Sequence, residues 1–214
     1  MNVLAIETST ANCAVSLVGE QVCVSLQEYA PQQHAQLILP MVDQVLSQAG
    51  FQAQDIDALA FGEGPGAFTG LRIAAGVVQG LALGWDKPVI AVSSLQAMAY
   101  QAFEQTGQTH WLACLDARMG EVYTQWCEFD TQGQLLNCST AQLVKAAMIN
   151  PASDCNGVGD IQTSYPAQAA LFSRWLDAVP NANAIAQLAR QRPAQAYSLG
   201  QQIPQPIYLR PSVS

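Results

Sequence analysis

Apolar positions along the chain change their period several times, and the changes mark the elements. Residues 3–8, VLAIET, are nearly continuous in apolar side chains and predict a strand. Residues 9–12, STAN, predict a polar turn. Residues 13–18, CAVSLV, and 21–26, QVCVSL, predict two further strands around Gly19-Glu20, and links this short favour an antiparallel meander. The period then lengthens. His34, Leu37, Ile38, Met41, Val42, Val45, Leu46 and Ala49 recur at steps of three and four, which predicts a helix over 32–48 with one apolar stripe, stopped at Gly50. Pro40 falls inside it and is expected to bend or interrupt it. Residues 56–61, IDALAF, predict a strand that runs into the most unusual stretch of the chain, FGEGPGAFTGLRIAAGVVQGLALG at 61–84. There Gly70–Leu83 predicts a helix, with Thr69 as its N-cap or in its first turn.

The second half reads less cleanly. PVIAV at 88–92 predicts a strand, and Ser93 or Ser94 can cap a helix over 95–104. A polar link at 106–110 predicts a domain boundary. WLACLD at 111–116 and EVYTQWCEF predict two strands across a turn at 117–120, with a third short strand near Leu135. Helices are expected over 140–149, 167–176 and 181–191, and a turn at 157–160. Pro193, Pro204, Pro206 and Pro211 predict an extended tail laid against the body. LAIETSTANCAVSLV near the start is echoed by LACLDARMGEVYTQW near residue 112: each is a strand ending in an acid, a short turn and another strand. Glu7 and Asp116 occupy corresponding places. The match is one of pattern and not residue by residue; read as a duplication, it implies two related lobes.

Composition narrows the classes. Hydrophobic residues make up 50% of the 214 and charged residues only 11%, so disorder is excluded and a buried core is expected. No apolar run is long enough to span a bilayer, and no basic region precedes the first strand, so neither a membrane span nor a signal peptide is expected. The net charge of −8 disfavours a phosphate backbone over most of the surface, so any nucleic acid is expected on a partner. The 6 cysteines include no CxxC pair, which points to thiols in a reducing compartment rather than a zinc site.

The glycine stretch admits three readings: a phosphate loop feeding a helix, a tight turn that lets the helix pack unusually close, or both with the ligand belonging to a partner. It is not a Walker loop, because Thr69 stands where the second glycine is required and no lysine follows. Proline between Gly64 and Gly66 also breaks a dinucleotide fingerprint. The backbone N–H groups of 64–69 could still cradle an anion at a helix N-terminus. Glu7 with Thr8, Ser9 and Thr10 could hold Mg²⁺ through water and meet phosphate with hydroxyls, or could simply close a tight turn, and Asp116 carries the same two readings. Gly76, Gly80 and Gly84 lie at steps of four, a spacing that suits close approach of another backbone. His34 sits on the apolar stripe as a core or interface residue, and no Ser-His-Asp arrangement can be assigned.

Several segments together carry a family resemblance. The opening LAIETST…CAVSLV, then HAQLILPMVDQVL, FGEGPGAFTGLRIAAGVVQGLA with KPVIAVSSLQAMA, LDARMGEVY and the terminal IPQPIYLR resemble the bacterial TsaB (YeaZ) family. The resemblance implies a two-lobed fold of the actin, sugar kinase and Hsp70 type, with a lobe at 1–106 bearing the partner helices and a lobe at 107–214 bearing the tail. It implies a non-catalytic subunit in formation of N6-threonylcarbamoyladenosine at position 37 of tRNA, binding and supporting the transferase TsaD and helping recruit the ATPase TsaE. The implied partner-binding residues are His34, Leu37, Ile38, Met41, Val45, Arg72, Gly76 and Gly80. Glu7, Thr8, Ser9, Thr10, Gly64, Gly66 and Asp116 would be a vestigial phosphate site. TsaD carries two metal-binding histidines where this chain has Ser94 and Met98, and a serine and a thioether cannot replace two imidazoles. The resemblance therefore implies no catalytic residue, no metal and no cofactor in the isolated chain, with nucleotide only at the assembled junction. It further implies a homodimer when TsaD is absent, no strong direct tRNA binding, no membrane and a cytoplasmic location. Two rival readings stay open: a sugar-kinase-like phosphotransferase built on Glu7 and Asp116, and a metallopeptidase, against which the missing histidine pair counts.

Overall fold

The computed structural model describes residues 1–210, so Pro211 lies outside the described residues. The chain is a mixed α/β fold with two β-sheets flanked by helices, and it divides into two compact units. The first comprises Met1–Ser94 and Pro180–Ile207, the second Leu95–Val179 and the chain from Tyr208. The boundaries differ from the expected split at residue 106. The helix following the 89–93 strand belongs to the second unit, and the helix at 182–190 returns to the first, where it packs on that unit's sheet. Sequence continuity could not show either placement.

The first sheet holds β1 (Val3–Glu7), β2 (Asn12–Val18), β3 (Cys23–Tyr29), β4 (Ala58–Gly64) and β5 (Val89–Ser93) in the order β3-β2-β1-β4-β5. The expected meander is present: β1 pairs antiparallel with β2, and β2 with β3. β4 and β5 then add in parallel. Every residue of β1 is buried, which requires cover on both faces. On one side α1 (His34–Ala49) and α2 (Phe68–Trp85) contribute Ile38, Met41, Val45, Ala74 and Val78 to a core shared with Leu4 and Ile6. α5 (Ala182–Arg190) packs on β1, β2 and β4 and buries Ile185 and Leu188. Each such apolar side chain contributes roughly 1.5–3 kcal/mol.

The second sheet is built from β6 (His110–Arg118), β7 (Glu121–Phe129), β8 (Leu135–Cys138), β10 (Asn156–Gly159) and β11 (Arg174–Asp177), with β9 (Gln142–Lys145) also pairing with β7. Taken from β8, its order is β8-β7-β6-β10-β11: two antiparallel pairings, then two parallel ones. The first sheet has the same succession. The echo between the two strand–acid–turn–strand segments thus extends to the pairing of both whole sheets. α3 (Ser94–Thr106) lies on this sheet through a ring cluster, with Phe129 5.5 Å from Phe103 and 5.9 Å from Tyr100.

Several local expectations are corrected. α1 runs unbroken through Pro40, because Pro40 and Gln36 both lie on its exposed side and the carbonyl deprived of a donor faces water. α2 begins at Phe68 with Ala67 at the N-cap position, so of the two places expected for Thr69 it takes the one in the first turn. β5 runs directly into α3, so Ser94 is the helix's first residue with its hydroxyl donated to Glu7, and of the two serines expected to cap it is Ser93 that stands at the preceding position. Residues 140–149 form β9 and a 3-10 turn at Ala146–Met148 rather than a helix. Residues 157–160 are not a turn: Gly157–Gly159 belong to β10, between β6 and β11. The stretch 167–176 splits into a single turn, α4 (Pro166–Ala169), and the strand β11. Over 140–149 and 167–176, pairing within the sheet outweighed a short apolar period that fits helix and strand equally.

Two glycines of α2 separate packing from propensity. A Cβ on Gly70 would overlap the Thr8 carbonyl oxygen, whereas a Cβ on Gly76 would meet nothing within 4 Å among the described residues. Gly70→Ala is therefore expected to destabilise the chain by about 1–3 kcal/mol despite better helix propensity. Gly76→Ala should stabilise it by up to about 1 kcal/mol. Urea denaturation of both variants tests the contrast, and two changes of the same sign would contradict it.

Candidate functional site

The turn between β1 and β2 is seated in a row of glycines. A Cβ on Gly62 would overlap the Glu7 carboxylate, one on Gly66 would overlap the Ser9 carbonyl oxygen, and one on Gly70 the Thr8 carbonyl oxygen. Hydrogen bonds fix the same approach. The Ala67 N–H donates to the Ser9 carbonyl at 2.7 Å, and Thr8 Oγ1 donates to the Gly70 carbonyl at 2.8 Å. Glu7 accepts from the Ser9 N–H at 2.5 Å through one carboxylate oxygen and from the Ser94 hydroxyl at 2.8 Å through the other. Glu7, Thr8 and Ser9 are all buried. Burial pushes the Glu7 carboxyl above its ordinary range, and the hydrogen bonds from Ser9 and Ser94 hold it back in part.

The residues expected to hold phosphate thus largely come together, but as partners of one another. The glycine cradle receives the chain's own carboxylate and carbonyls. Gly64 stands apart, at φ 101 against the Leu71 side chain and the Ile207 carbonyl. Thr10 closes its own turn: its hydroxyl accepts the Asn12 N–H at 3.2 Å, and its carbonyl accepts from His34 Nε2 at 3.0 Å. Asp116 lies in the second unit. Its carboxylate pairs with the Arg118 guanidinium at 3.2 Å, accepts the Ser164 hydroxyl at 3.0 Å and accepts the Arg118 N–H at 2.8 Å. Glu7 and Asp116 share a topological place but not an environment, since one is buried among neutral donors and the other is held by a cation. Ser94 belongs to the Glu7 cluster, and Met98 is fully buried. Among the described residues no group of three or more His, Cys, Asp or Glu could hold a metal ion.

The expected partner face is redrawn. His34, Ile38, Met41 and Val45 point into the first unit's own core, and Leu37 packs against that core half-buried. The apolar stripe of α1 is what the sheet requires, so it is not available to a partner. His34 donates from Nε2 to two backbone carbonyls of the β1–β2 turn, those of Thr10 and Asn12. α2 presents the opposite situation. Phe68, Arg72, Gly76, Gly80 and Gly84 follow one another at steps of four and are all exposed. The Arg72 guanidinium lies 3.9 Å over the Phe68 ring. Beyond it, Cβ atoms on the three glycines would meet nothing within 4 Å among the described residues. A row of this kind normally forms a ridge of side chains. Here its second half is a groove open to the backbone. Leu83 flanks it at 76% exposed, and Leu39 of α1 is 52% exposed.

Sequence reasoning passed over Gly62, Gly70 and Ser94 at the cradle, and over Phe68, Leu83 and Leu39 on the surface. The signal at the cradle was available, because Gly62, Gly66 and Gly70 also recur at steps of four.

Burial of Glu7 has a pH signature. Its carboxyl titrates higher in the folded chain than in the unfolded one, near 4.5. Its contribution to stability is therefore full below that value and is lost as pH rises through the folded value. Glu7→Gln should flatten the fall in urea midpoint as pH rises above 4.5. Parallel profiles for the two proteins would mean that Glu7 titrates alike in both states.

Comparison with known proteins adds an independent line. The family model "TsaD: tRNA N6-adenosine threonylcarbamoyltransferase" matches residues 15–199. The tRNA threonylcarbamoyladenosine biosynthesis protein TsaB of Haemophilus influenzae is 36% identical over 231 aligned positions, covering 100% of this chain and 95% of that protein. TsaB of Escherichia coli K12 is 49% identical over 129 residues, covering 60% of this chain and 55% of that protein, so that match spans about half the relative's length. The crystal structure of YeaZ from Pseudomonas aeruginosa is similar with a TM-score of 0.86 at 36% identity, covering 97% of this chain and 99% of that one. With likeness extending over the whole chain in both sequence and fold, the chain belongs to the TsaB (YeaZ) family, the non-catalytic paralogues of TsaD.

Proposed function

We propose that this chain is an accessory subunit in tRNA N6-threonylcarbamoyladenosine formation, and that it binds TsaD through the open groove of α2. The observation that carries the reading is the row Gly76, Gly80 and Gly84, which leaves backbone uncovered on the outer side of a helix whose inner side is fully packed. Glycines inside a helix each cost about 1 kcal/mol against alanine. Nothing in the described part of this chain uses the space they leave, whereas a helix from a partner could enter it closely. Leu83, Leu39 and the Phe68–Arg72 pair would form the apolar and cationic rim. A paralogue with a related lobe supplies such a helix, and a second copy of this chain does so when the paralogue is absent. A stable contact of this type buries about 1,200–2,000 Å² in total.

In this reading the two sheets of like topology are the lobes of an actin, sugar kinase and Hsp70-type fold. The subunit orders TsaD, and TsaE joins the assembled pair. Glu7 and its hydroxyl neighbours serve as packing within the cradle. No residue of this chain takes a chemical role. The nearly neutral, glycine-rich face suits a protein partner better than tRNA, and the overall negative charge disfavours a broad RNA contact.

Gly80→Trp should leave the fold of the isolated chain unchanged, since its Cβ points into open space, and should weaken the association with TsaD by about tenfold or more, which corresponds to about 1.4 kcal/mol. Titration calorimetry with TsaD measures the loss, and the circular dichroism of the variant checks the fold. Wild-type affinity in a folded variant would place the contact elsewhere.

A further inference from the structure

Cys127 and Cys138 are direct cross-strand partners in the antiparallel pairing of β7 with β8. Residues paired in this way point to the same face of the sheet. One step along, the Ser139 N–H donates to the Trp126 carbonyl at 2.9 Å and the Trp126 N–H donates to the Ser139 hydroxyl at 3.0 Å, so the bonds between the strands flank the cysteine pair. Because bonded and non-bonded pairs alternate, Cys127 and Cys138 occupy a non-bonded position, where side chains approach most closely and Cα atoms lie about 4.5 Å apart. That separation falls within the range a disulfide spans, about 4.4–6.8 Å. Both cysteines are reduced thiols in this structure.

The face they share lies under α3. Phe129, two residues beyond Cys127, packs on Phe103 and Tyr100, and Gln96 Nε2 donates to Cys138 Sγ at 3.3 Å. Access is unequal. Cys127 is fully buried, while Cys138 is partly exposed at the end of β8. The other four cysteines have no such pairing in the strand registers, and burial pushes the Cys13 thiol up to about 11.

We infer that Cys127 and Cys138 form a dithiol–disulfide site that exchanges with small-molecule disulfides, with Cys138 as the entry thiol. The Cys138 thiolate attacks a disulfide of the glutathione type, its own proton passing to solvent. One sulfur bonds to Cys138, and the other leaves as a thiolate that takes up a proton. Cys127, deprotonated in turn, attacks Cys138 Sγ and expels the second small thiol. The chain is oxidised by two electrons, the small disulfide is reduced to two thiols, and two protein S–H bonds are replaced by one S–S bond.

The test incubates the full chain with oxidised glutathione, blocks the remaining thiols and maps masses after cleavage at Glu128 and Asp130, which lie between the two cysteines. The expected product is a linked pair of peptides carrying Cys127 and Cys138. It should form at a glutathione ratio about tenfold less oxidising than in urea-unfolded chain, because the strand register holds the thiols together. Glutathione adducts on Cys138 without the link, or a link formed no more readily than in urea, would overturn the inference. Cys138→Ser should also leave Cys127 without an adduct in the folded chain. A Cys127 adduct as abundant as that on Cys138 of the wild type would show that Cys138 is not the entry.

Discussion

The first unit depends on how closely the β1–β2 turn approaches the start of α2. Three successive contacts leave no room for a Cβ: Glu7 against Gly62, Ser9 against Gly66 and Thr8 against Gly70. Glycine there is a steric requirement of the approach and not a provision for flexibility. The Ala67 N–H, which a phosphate loop would offer to a ligand, is given to the Ser9 carbonyl. One arrangement thus anchors α2 on the sheet and occupies the space that an anion would need. A buried carboxylate amid neutral donors costs desolvation, and the raised Glu7 titration reflects that cost.

Once α2 is anchored in this way, its two sides have different duties. The inner side supplies Leu71, Ala74, Val78 and Ala82 to the core. The outer side carries the second set of glycines, where an added Cβ would meet nothing within 4 Å among the described residues. The same residue type at the same spacing therefore serves two ends. In the first set it admits the chain's own turn, and in the second it leaves backbone open. The outer groove gains its position from the inner cradle, because the helix can present a fixed surface only if its opposite side is locked.

The second unit repeats the topology of the first without repeating its chemistry. Both sheets join two antiparallel pairings to two parallel ones, and each has an acid at the carboxyl end of the strand between them. Asp116 is neutralised by Arg118 and hydroxyls, and no glycine row faces it in the way that Gly62, Gly66 and Gly70 face the first turn. What distinguishes this unit is the reduced pair Cys127 and Cys138, a product of strand register that lies outside any sequence spacing typical of thiol chemistry.

By itself the sequence determined the meander at the start, α1, the glycine-rich helix and the echo of the two strand–acid–turn–strand segments, because each is a local period long enough to exclude alternatives. It also carried the family resemblance, which rests on those same motifs. Local period did not reach the β9–β11 region, where four-residue strands are stabilised by neighbours far along the chain. It could not tell which face of a helix is covered. The stripe of α1 looked like an interface because an apolar stripe is equally suited to a partner and to its own sheet, and only the sheet's position decided for Ile38, Met41 and Val45. Likewise, two sets of glycines at steps of four within one stretch are indistinguishable as letters. The tertiary structure set Gly62, Gly66 and Gly70 against the chain's own turn and left Gly76, Gly80 and Gly84 open, because contact is a property of where the backbone goes and not of the residue that permits it.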